Sequence, residues 1–278
     1  MMRSELHDEH LVLGADFPEG GGVLVGPSSY AVEGADDPFR GGCGLCDLSG
    51  MLVLLASGAP AVPWAQAAFA GERLAVGECS FQPALLGDGS LASIPLLGRT
   101  GDDEYAIWDL SPRSQTLSAW LSFLANVEQG GFRPYEGLGT EDVTERLVPL
   151  ALWGESAEAV LRDYLSGEGA LPAAGRMGEL LLDGRIGCLA ARLPLDGEDC
   201  FLLMVPPALV CRLWRSLLSF GSVTPVGHAR VVSRLGELLP WSRWLSQTDR
   251  VAPTEGELEG QGLLRASGDF VGARGLRS

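Results

Sequence analysis

The chain runs twice through a similar order of predicted strands and helices, and this repetition limits the folds that it can adopt. In the first passage, strand-like apolar runs lie at 45–55, 81–86, 93–97 and 105–110. Helical periodicity lies at 59–69 and 114–126. In the second passage, strand-like runs lie at 147–153, 185–192 and 200–205, and helical periodicity lies at 156–165 and 207–219. Two such passages predict an α+β protein of two lobes, each a mostly antiparallel sheet with packed helices.

The same pattern sets the predicted domain boundaries. Residues 1–40 are Gly- and acid-rich and are predicted to form an irregular lead-in. Residues 41–130 are predicted to be a first α+β lobe and residues 141–222 a second one, with a Gly- and acid-rich break between them. Residues 223–278 are expected to return to the first lobe and to end in loop-rich chain.

Charge and composition exclude several classes of function. The net charge is −16 at pH 7, and all 20 basic residues are arginine. Nucleic acids and anionic membranes attract basic surfaces, so neither is predicted to be a partner. A chain without lysine has no Schiff-base lysine, no P-loop lysine and no lipoyl attachment site. We find no apolar run long enough to span a bilayer and no basic signal-peptide region, so we expect a cytoplasmic protein.

The six cysteines offer one candidate motif, Cys43-Gly-Leu-Cys46, which has the C-x-x-C spacing of zinc and redox sites. Zinc needs two further ligands, and the sequence contains no second C-x-x-C and no H-x₃₋₅-H. We therefore predict no metal site and interpret the cysteines as reduced thiols of the core, with the role of this pair left open.

An acidic loop between two strand-like runs carries a family resemblance. The segment Ala191-Arg-Leu-Pro-Leu-Asp-Gly-Glu-Asp-Cys-Phe-Leu-Leu-Met-Val-Pro206 aligns without a gap with A-R-T-G-Y-T-G-E-D-G-F-E-I-x-V-P. It resembles the folate-binding loop of the glycine cleavage T-protein (aminomethyltransferase) family. From the residues alone, an exposed hairpin turn with two solvated acids is the alternative.

Other blocks resemble the same family in the same order. Arg40-Gly-Gly-Cys-Gly-Leu-Cys-Asp-Leu-Ser-Gly-Met51 is similar to R-x-x-x-G-L-F-D-x-S-H-M, with glycine in place of the histidine. Gly268-Asp-Phe-Val-Gly272 is similar to D-F-I-G, and the resemblance extends from Arg40 to Leu276. On this collinearity the chain is identified as a divergent member of the family, with its folate-binding α+β fold.

The resemblance implies tetrahydrofolate as the cofactor. Glu198 falls on the family's pterin-binding glutamate, and a carboxylate can accept two parallel hydrogen bonds from an aminopyrimidinone edge. Arg234 lies in a segment similar to the family's L-R-L-E-A-G and would pair with the pterin or with a glutamate tail. The alternative for Arg234 is a surface or inter-lobe salt bridge. The implied activity is aminomethyl or methyl transfer, with a folate ligand and a carrier or methyl-donor protein as partners.

The main departure from the family concerns its catalytic acid. In the segment 88–97, similar to D-G-G-V-I-D-D-x-x-V, Ser93 and Ile94 occupy the positions of the paired aspartates. Ser93 is the candidate catalytic residue, but a hydroxyl cannot supply negative charge or accept a proton near neutral pH. The family's asparagine after the next strand is also missing, and Asp109 and Ser111 are the nearest polar groups. The alternative function is therefore a non-catalytic folate-binding or scaffolding relative working in a complex.

Family members continue into a C-terminal β-barrel lobe that has no counterpart after Gly272. The resemblance then implies a folate channel with one open wall, and we expect another subunit to close it. An α+β domain without any folate site is a third interpretation.

Overall fold

The computed structural model describes residues 3–18, 23–31, 37–167, 169–247 and 249–277. The glycine run 20–22 and residues 32–36 of the predicted lead-in lie outside the described residues. The chain divides into two compact units, and each unit is built from two separate stretches. Unit 1 comprises Met1–Met51 and Thr144–Leu238, and unit 2 comprises Leu52–Val143 and Leu239–Ser278.

The strands are, in chain order, β1 (Ala15–Asp16), β2 (Ser29–Tyr30), β3 (Cys43–Asp47), β4 (Leu52–Ser57), β5 (Cys79–Phe81), β6 (Ala84–Leu85), β7 (Leu91–Ser93), β8 (Leu96–Gly101), β9 (Glu104–Asp109), β10 (Gly139–Asp142), β11 (Val148–Trp153), β12 (Arg176–Leu182), β13 (Ile186–Arg192), β14 (Cys200–Val205) and β15 (Val223–Pro225). The helices are α1 (His7–Val12), α2 (Ala61–Ala68), α3 (Ser114–Ala125), α4 (Ala157–Tyr164), α5 (Pro207–Leu218), α6 (His228–Leu238), α7 (Ser242–Leu245), α8 (Glu255–Gly260) and α9 (Ala273–Leu276). None of these helices in the described part of the chain is long and apolar enough to cross a membrane.

Unit 1 is organised around a six-stranded sheet with the order β12-β13-β14-β11-β3-β15. Its strands pair antiparallel, except that β15 runs parallel to β3. In the centre, Trp153 of β11 lies opposite Cys200 of β14 and Gly44 of β3. All residues of β11 and β14 are buried, which explains why both read as continuous apolar runs.

Helix α5 contributes to the core of unit 1. It begins with Pro207 in its first turn, where the missing backbone N–H has no helical partner to lose. It buries Leu213, Trp214 and Leu217 on one face. Val210 is also buried, and Leu209 is partly buried against the same core.

Unit 2 contains a five-stranded antiparallel sheet with the order β10-β4-β9-β8-β5 and the small β6-β7 pair. Helices α2 and α3 place Trp64, Leu117 and Leu121 in one core cluster of this unit. In a second cluster, Trp241 and Trp244 are grouped with Leu85 of β6 and Leu91 of β7. The predicted α+β class with mostly antiparallel sheets is confirmed in both units.

The run 45–55, predicted as one strand, is two strands in different units. A turn separates β3 from β4, and Gly50 in that turn has φ +93°. A Cβ on Gly50 would come within 2.2 Å of the carbonyl oxygen of Val23, so the site admits no side chain. The division of the chain therefore differs from the predicted boundary at residue 41, because β3 pairs with β11 of the later passage.

Three further differences concern peripheral elements. The predicted irregular lead-in contains α1, β1 and β2. The C-terminal part of the chain, predicted to be loop-rich, contains α8, and a capping box between Thr254 and Glu257 stabilises the start of this helix. The edge strands β10 and β12 were not predicted, because every residue of β10 is exposed and β12 has a Gly and charged residues among its apolar ones.

Candidate functional site

The acidic loop of unit 1 joins β13 to β14 and is held against the end of β11. Gly197 has φ +71°, a left-handed conformation that favours glycine, and it turns the chain just before Glu198. The backbone N–H of Gly154 donates to the carbonyl oxygen of Asp199 at 2.9 Å. The N–H of Leu193 donates to the carbonyl oxygen of Cys200 at 2.9 Å. These bonds attach the loop to the central strands of the sheet.

Both carboxylate oxygens of Glu198 accept a hydrogen bond from within unit 1. Nη2 of Arg234 forms an ion pair with Oε1, and the indole Nε1–H of Trp153 donates to Oε2 at 2.8 Å. The side chain of Glu198 is 15% exposed and that of Arg234 is 19% exposed. The two predicted cofactor-binding residues therefore lie in direct contact.

Arg234 reaches the loop from α6. Its Nη1 also donates to Glu237 at 2.9 Å, and the hydrogen bond to Glu237 together with that to Glu198 raises the pKa of the guanidinium above its usual value. Its Nε–H is buried and has no partner among the described residues. Arg234 thus forms a salt bridge within unit 1 with both side chains mostly buried, and it retains one buried donor.

Of the three residues in contact here, Glu198, Arg234 and Trp153, only Trp153 was not predicted from the sequence. It is the last residue of β11, it is fully buried, and Phe39 stacks on it with ring centroids 5.0 Å apart. Within the sequence it reads as one more apolar residue of a buried strand, because nothing local distinguishes an indole with a polar partner from one without.

The neighbouring acid, Asp199, is also neutralised. Arg192 forms an ion pair with Asp199 and a second one with Glu158 at 3.1 Å, while its guanidinium carbon lies 5.2 Å from the centroid of Phe201. Glu198 and Asp199 are therefore each paired with an arginine, whereas Asp196 of the same loop is exposed. The alternative of an exposed hairpin turn with two solvated acids is wrong.

A cavity of about 240 Å³ opens at this cluster. It is lined by Phe39, Arg40, Gly154, Glu155, Gly197, Glu198, Asp199 and Arg234. Gly154 has φ +135°, and a Cβ there would come within 2.5 Å of the carbonyl oxygen of Gly42. An ionised carboxylate has about four lone-pair sites, of which Arg234 and Trp153 fill two at Glu198. The remaining acceptor sites can receive two donors of a bound molecule.

Ser93 lies in unit 2, at the end of β7, and is fully buried. Its hydroxyl donates to Oδ2 of Asp109 at 2.6 Å and lies 3.1 Å from the hydroxyl of Ser111. Burial raises the pKa of the Asp109 carboxyl. The predicted catalytic serine thus contacts the two polar groups that the sequence identified, Asp109 at the end of β9 and Ser111 in the loop after it.

Arg113 binds the backbone next to Ser93. The backbone N–H of Ser111 donates to Oδ1 of Asp109 at 2.8 Å. Arg113 directs its guanidinium to the backbone carbonyls of Leu91 and Ala92, at 2.6 and 2.9 Å. The end of β7 is therefore held by hydrogen bonds from the loop that follows β9.

A second buried polar network in unit 1 surrounds Asp47. Its carboxylate accepts hydrogen bonds from Ser4, from Nε2 of His10 at 2.8 Å and from the hydroxyl of Ser49 at 2.6 Å. Nδ1 of His10 lies 2.7 Å from the hydroxyl of Tyr30. Burial works to raise the pKa of Asp47, but the hydrogen bonds from His10, Ser4 and Ser49 outweigh it and the pKa is lowered.

The C-x-x-C pair does not form a site. Cys43 and Cys46 lie three residues apart in β3, so their side chains point to opposite faces of the sheet. Both are buried and neither is part of a disulfide, and burial raises the pKa of Cys43 to about 12. Among the described residues, no three His, Cys, Asp or Glu side chains meet in an arrangement that could hold a metal ion.

Comparison with known proteins gives consistent matches. Residues 6–249 match the sequence profile of the GCVT N-terminal domain. The aminomethyltransferase of Rubrobacter xylanophilus is 26% identical over 282 residues, which cover 100% of this chain and 72% of that protein. The aminomethyltransferase of Herpetosiphon aurantiacus is 26% identical over 230 residues, which cover 82% of this chain and 61% of that protein.

A solved structure, the glycine cleavage system aminomethyltransferase T from Bartonella henselae, is similar with a TM-score of 0.74 and 22% identity. The similarity covers 99% of this chain and 74% of that chain. The predicted T-protein-like fold is therefore confirmed.

Proposed function

This chain belongs to the GCVT N-terminal domain family, and on that premise we propose that it is a tetrahydrofolate-dependent aminomethyl- or methyltransferase of the glycine cleavage T-protein type. The relatives that it matches are aminomethyltransferases. Its motifs resemble that family from Arg40 to Leu276.

The observation that carries the proposal is the state of Glu198. Its carboxylate is held on one oxygen by Arg234 and on the other by Trp153, at the edge of a cavity of about 240 Å³. About two of its four acceptor sites remain. The N–H and amino groups of a pterin are neighbouring donors, and a carboxylate that accepts both binds that edge selectively. The residues therefore fit the pterin of tetrahydrofolate.

Arg234 supports the same ligand. Its ion pair with Glu198 keeps that carboxylate from being a buried charge without a partner, which would be costly. Its buried Nε–H, which has no partner among the described residues, would be satisfied by an acceptor such as the pterin carbonyl. We assign Glu198 and Arg234 as the cofactor-binding residues.

Ser93 is the proposed residue at the catalytic position, and its surroundings also favour the alternative function. Its hydroxyl is fully buried and already donates to Asp109. A hydroxyl in this state has no charge to offer a developing cation. This observation favours a folate-binding or scaffolding relative that works in a complex without turnover. In either function the ligand is folate.

The partners are proposed on the same basis. For transfer, the proposed partner is a carrier or methyl-donor protein. An acidic chain of net charge −16 favours basic protein surfaces over nucleic acid or anionic membrane. The cytoplasmic location stays a prediction of the sequence.

Calorimetric titration of the full chain with tetrahydrofolate and with 5-methyltetrahydrofolate tests the proposal. We expect a micromolar or tighter Kd, weakened about 10- to 100-fold in Glu198→Gln because a charge-assisted hydrogen bond is lost. Asp196→Asn is the matched control, since Asp196 is an exposed acid of the same loop. Absence of binding, or equal Kd values for Glu198→Gln and the unaltered chain, would remove the folate site. Binding without one-carbon transfer would establish the non-catalytic alternative.

A further inference from the structure

Trp153 makes a contact that distinguishes it from other tryptophans of this protein. Its indole Nε1–H donates to Oε2 of Glu198 at 2.8 Å. The buried Nε1 atoms of Trp64, Trp108, Trp120 and Trp214 have no hydrogen-bond partner among the described residues. Several indoles in this fold therefore serve for packing alone, so a polar partner is a specific property of Trp153.

The indole is held too firmly to follow the carboxylate. Trp153 ends a fully buried strand that pairs with strands on both sides, and Phe39 stacks on its ring at an interplanar angle of 28°. Glu198, in contrast, lies in a loop and has three side-chain torsions of its own. The fixed indole therefore determines where Oε2 lies.

Two donors from different elements define the plane of the Glu198 carboxylate. Trp153 of β11 fixes Oε2, and Arg234 of α6 pairs with Oε1. A bidentate contact needs both oxygens in one plane with the two ligand donors, and it loses strength when that plane rotates. Arginine also contacts Glu237, so it is shared between two acids, while the indole has one N–H and directs it to Glu198 alone.

We propose that Trp153 is a positioning residue: it orients the Glu198 carboxylate so that this group selects ligands presenting two adjacent N–H donors, as an aminopyrimidinone does. This inference rests on the proposed function and adds the residue that sets its selectivity. Trp153 acts through Glu198 and need not touch the ligand.

The test compares two ligands on three forms of the full chain. The ligands are tetrahydrofolate and an analogue in which a methyl group replaces the 2-amino group, so that one of the two donors is missing. The proteins are the unaltered chain, Trp153→Phe and the control Trp214→Phe. Trp214 is a buried tryptophan of the same unit, and its indole N–H has no partner among the described residues.

We expect the unaltered chain to bind tetrahydrofolate about 10- to 100-fold more tightly than the analogue, since one charge-assisted hydrogen bond separates them. In Trp153→Phe, the Kd for tetrahydrofolate should rise about 10-fold and the preference should fall to a few-fold. Trp214→Phe should keep the full preference. Loss of packing alone weakens both ligands equally and leaves their ratio unchanged, so an unchanged ratio in Trp153→Phe would overturn the inference.

If Trp153→Phe does not fold, the inference can be tested by NMR with Trp153 in place. With ¹⁵N-labelled tryptophan, one indole N–H resonance should move in Glu198→Gln, and tetrahydrofolate should shift the same resonance more than the analogue does. Equal shifts with both ligands would overturn the inference. No tetrahydrofolate binding by the unaltered chain would instead overturn the proposed function.

Discussion

Ser93 and Asp109 are joined by a hydrogen bond of 2.6 Å between the serine hydroxyl and the aspartate carboxylate, and both residues are buried. They lie on different strands of unit 2, 16 residues apart. In the family motif that the segment 88–97 resembles, an aspartate stands at the position of Ser93. In this chain the carboxyl group of the pair lies on β9 and the hydroxyl on β7.

Removal of the Ser93 hydroxyl should destabilise the protein. In Ser93→Ala, the buried Asp109 carboxyl keeps its bonds from Ser111 but loses one partner, which costs about 1–3 kcal/mol of unfolding free energy. Urea unfolding measures it, with exposed Ser122→Ala on α3 as the control, expected to change stability by less than about 0.5 kcal/mol. Equal stabilities of Ser93→Ala and the parent would show that the bond contributes nothing.

Asp109 should make the protein less stable as the pH rises. Burial raises the pKa of this carboxyl above its usual 3.8, so the folded state holds the proton more tightly than the unfolded state does. Its contribution is fully present below the unfolded pKa and is lost as the pH rises through the folded pKa. The unfolding free energy of the parent minus that of Asp109→Asn should therefore decrease as the pH rises from about 4. A flat difference across that range would contradict the raised pKa.

Asp47 should act in the opposite direction. Its pKa is lowered below 3.8 by hydrogen bonds from His10, Ser4 and Ser49 that outweigh the effect of burial. Its contribution is present above the unfolded pKa and is lost as the pH falls through the folded pKa. Asp47→Asn should cost about 2 kcal/mol near pH 7, and the cost should shrink only as the parent is acidified below about pH 4. Chemical unfolding at a series of pH values measures this cost, and one that grows on acidification would refute the assignment.

Thiol labelling should separate the cysteines by burial. Burial raises the pKa of Cys43 and of Cys188 to about 12, so neither forms the reactive thiolate at pH 8. Cys211 is partly exposed and should react first with iodoacetamide in the folded chain. Peptide mass spectrometry before and after unfolding locates the label. Labelling of Cys43 in the folded protein, or a disulfide between it and Cys46, would contradict the strand geometry.

Much of the secondary structure follows from local pattern. β14 was predicted with its observed limits, because a run of apolar residues between Asp199 and Pro206 leaves little freedom. The helices α3 and α5 were predicted to within a residue or two for the same reason. β10, with four exposed polar or glycine residues, carries no such pattern, and its pairing with β4 alone makes it a strand.

The division of the chain into two units could not be predicted from local pattern. The residues 45–55 look like one strand, since apolar residues dominate on both sides of Gly50. Whether β3 pairs with β4 or with β11 depends on contacts between residues about 100 positions apart, which leave no periodic trace in the sequence.

The sequence by itself determined the local pattern around the candidate residues: it places Glu198 in a glycine turn between two apolar strands, and its resemblance to the family aligns Ser93 with an acid. Only the tertiary structure decided what those residues touch. Arg234 and Trp153 reach Glu198 from 36 and 45 residues away, and Asp109 reaches Ser93 from another strand. Period and turn chemistry depend on neighbours along the chain, whereas hydrogen-bond partners are chosen by the packing of whole elements.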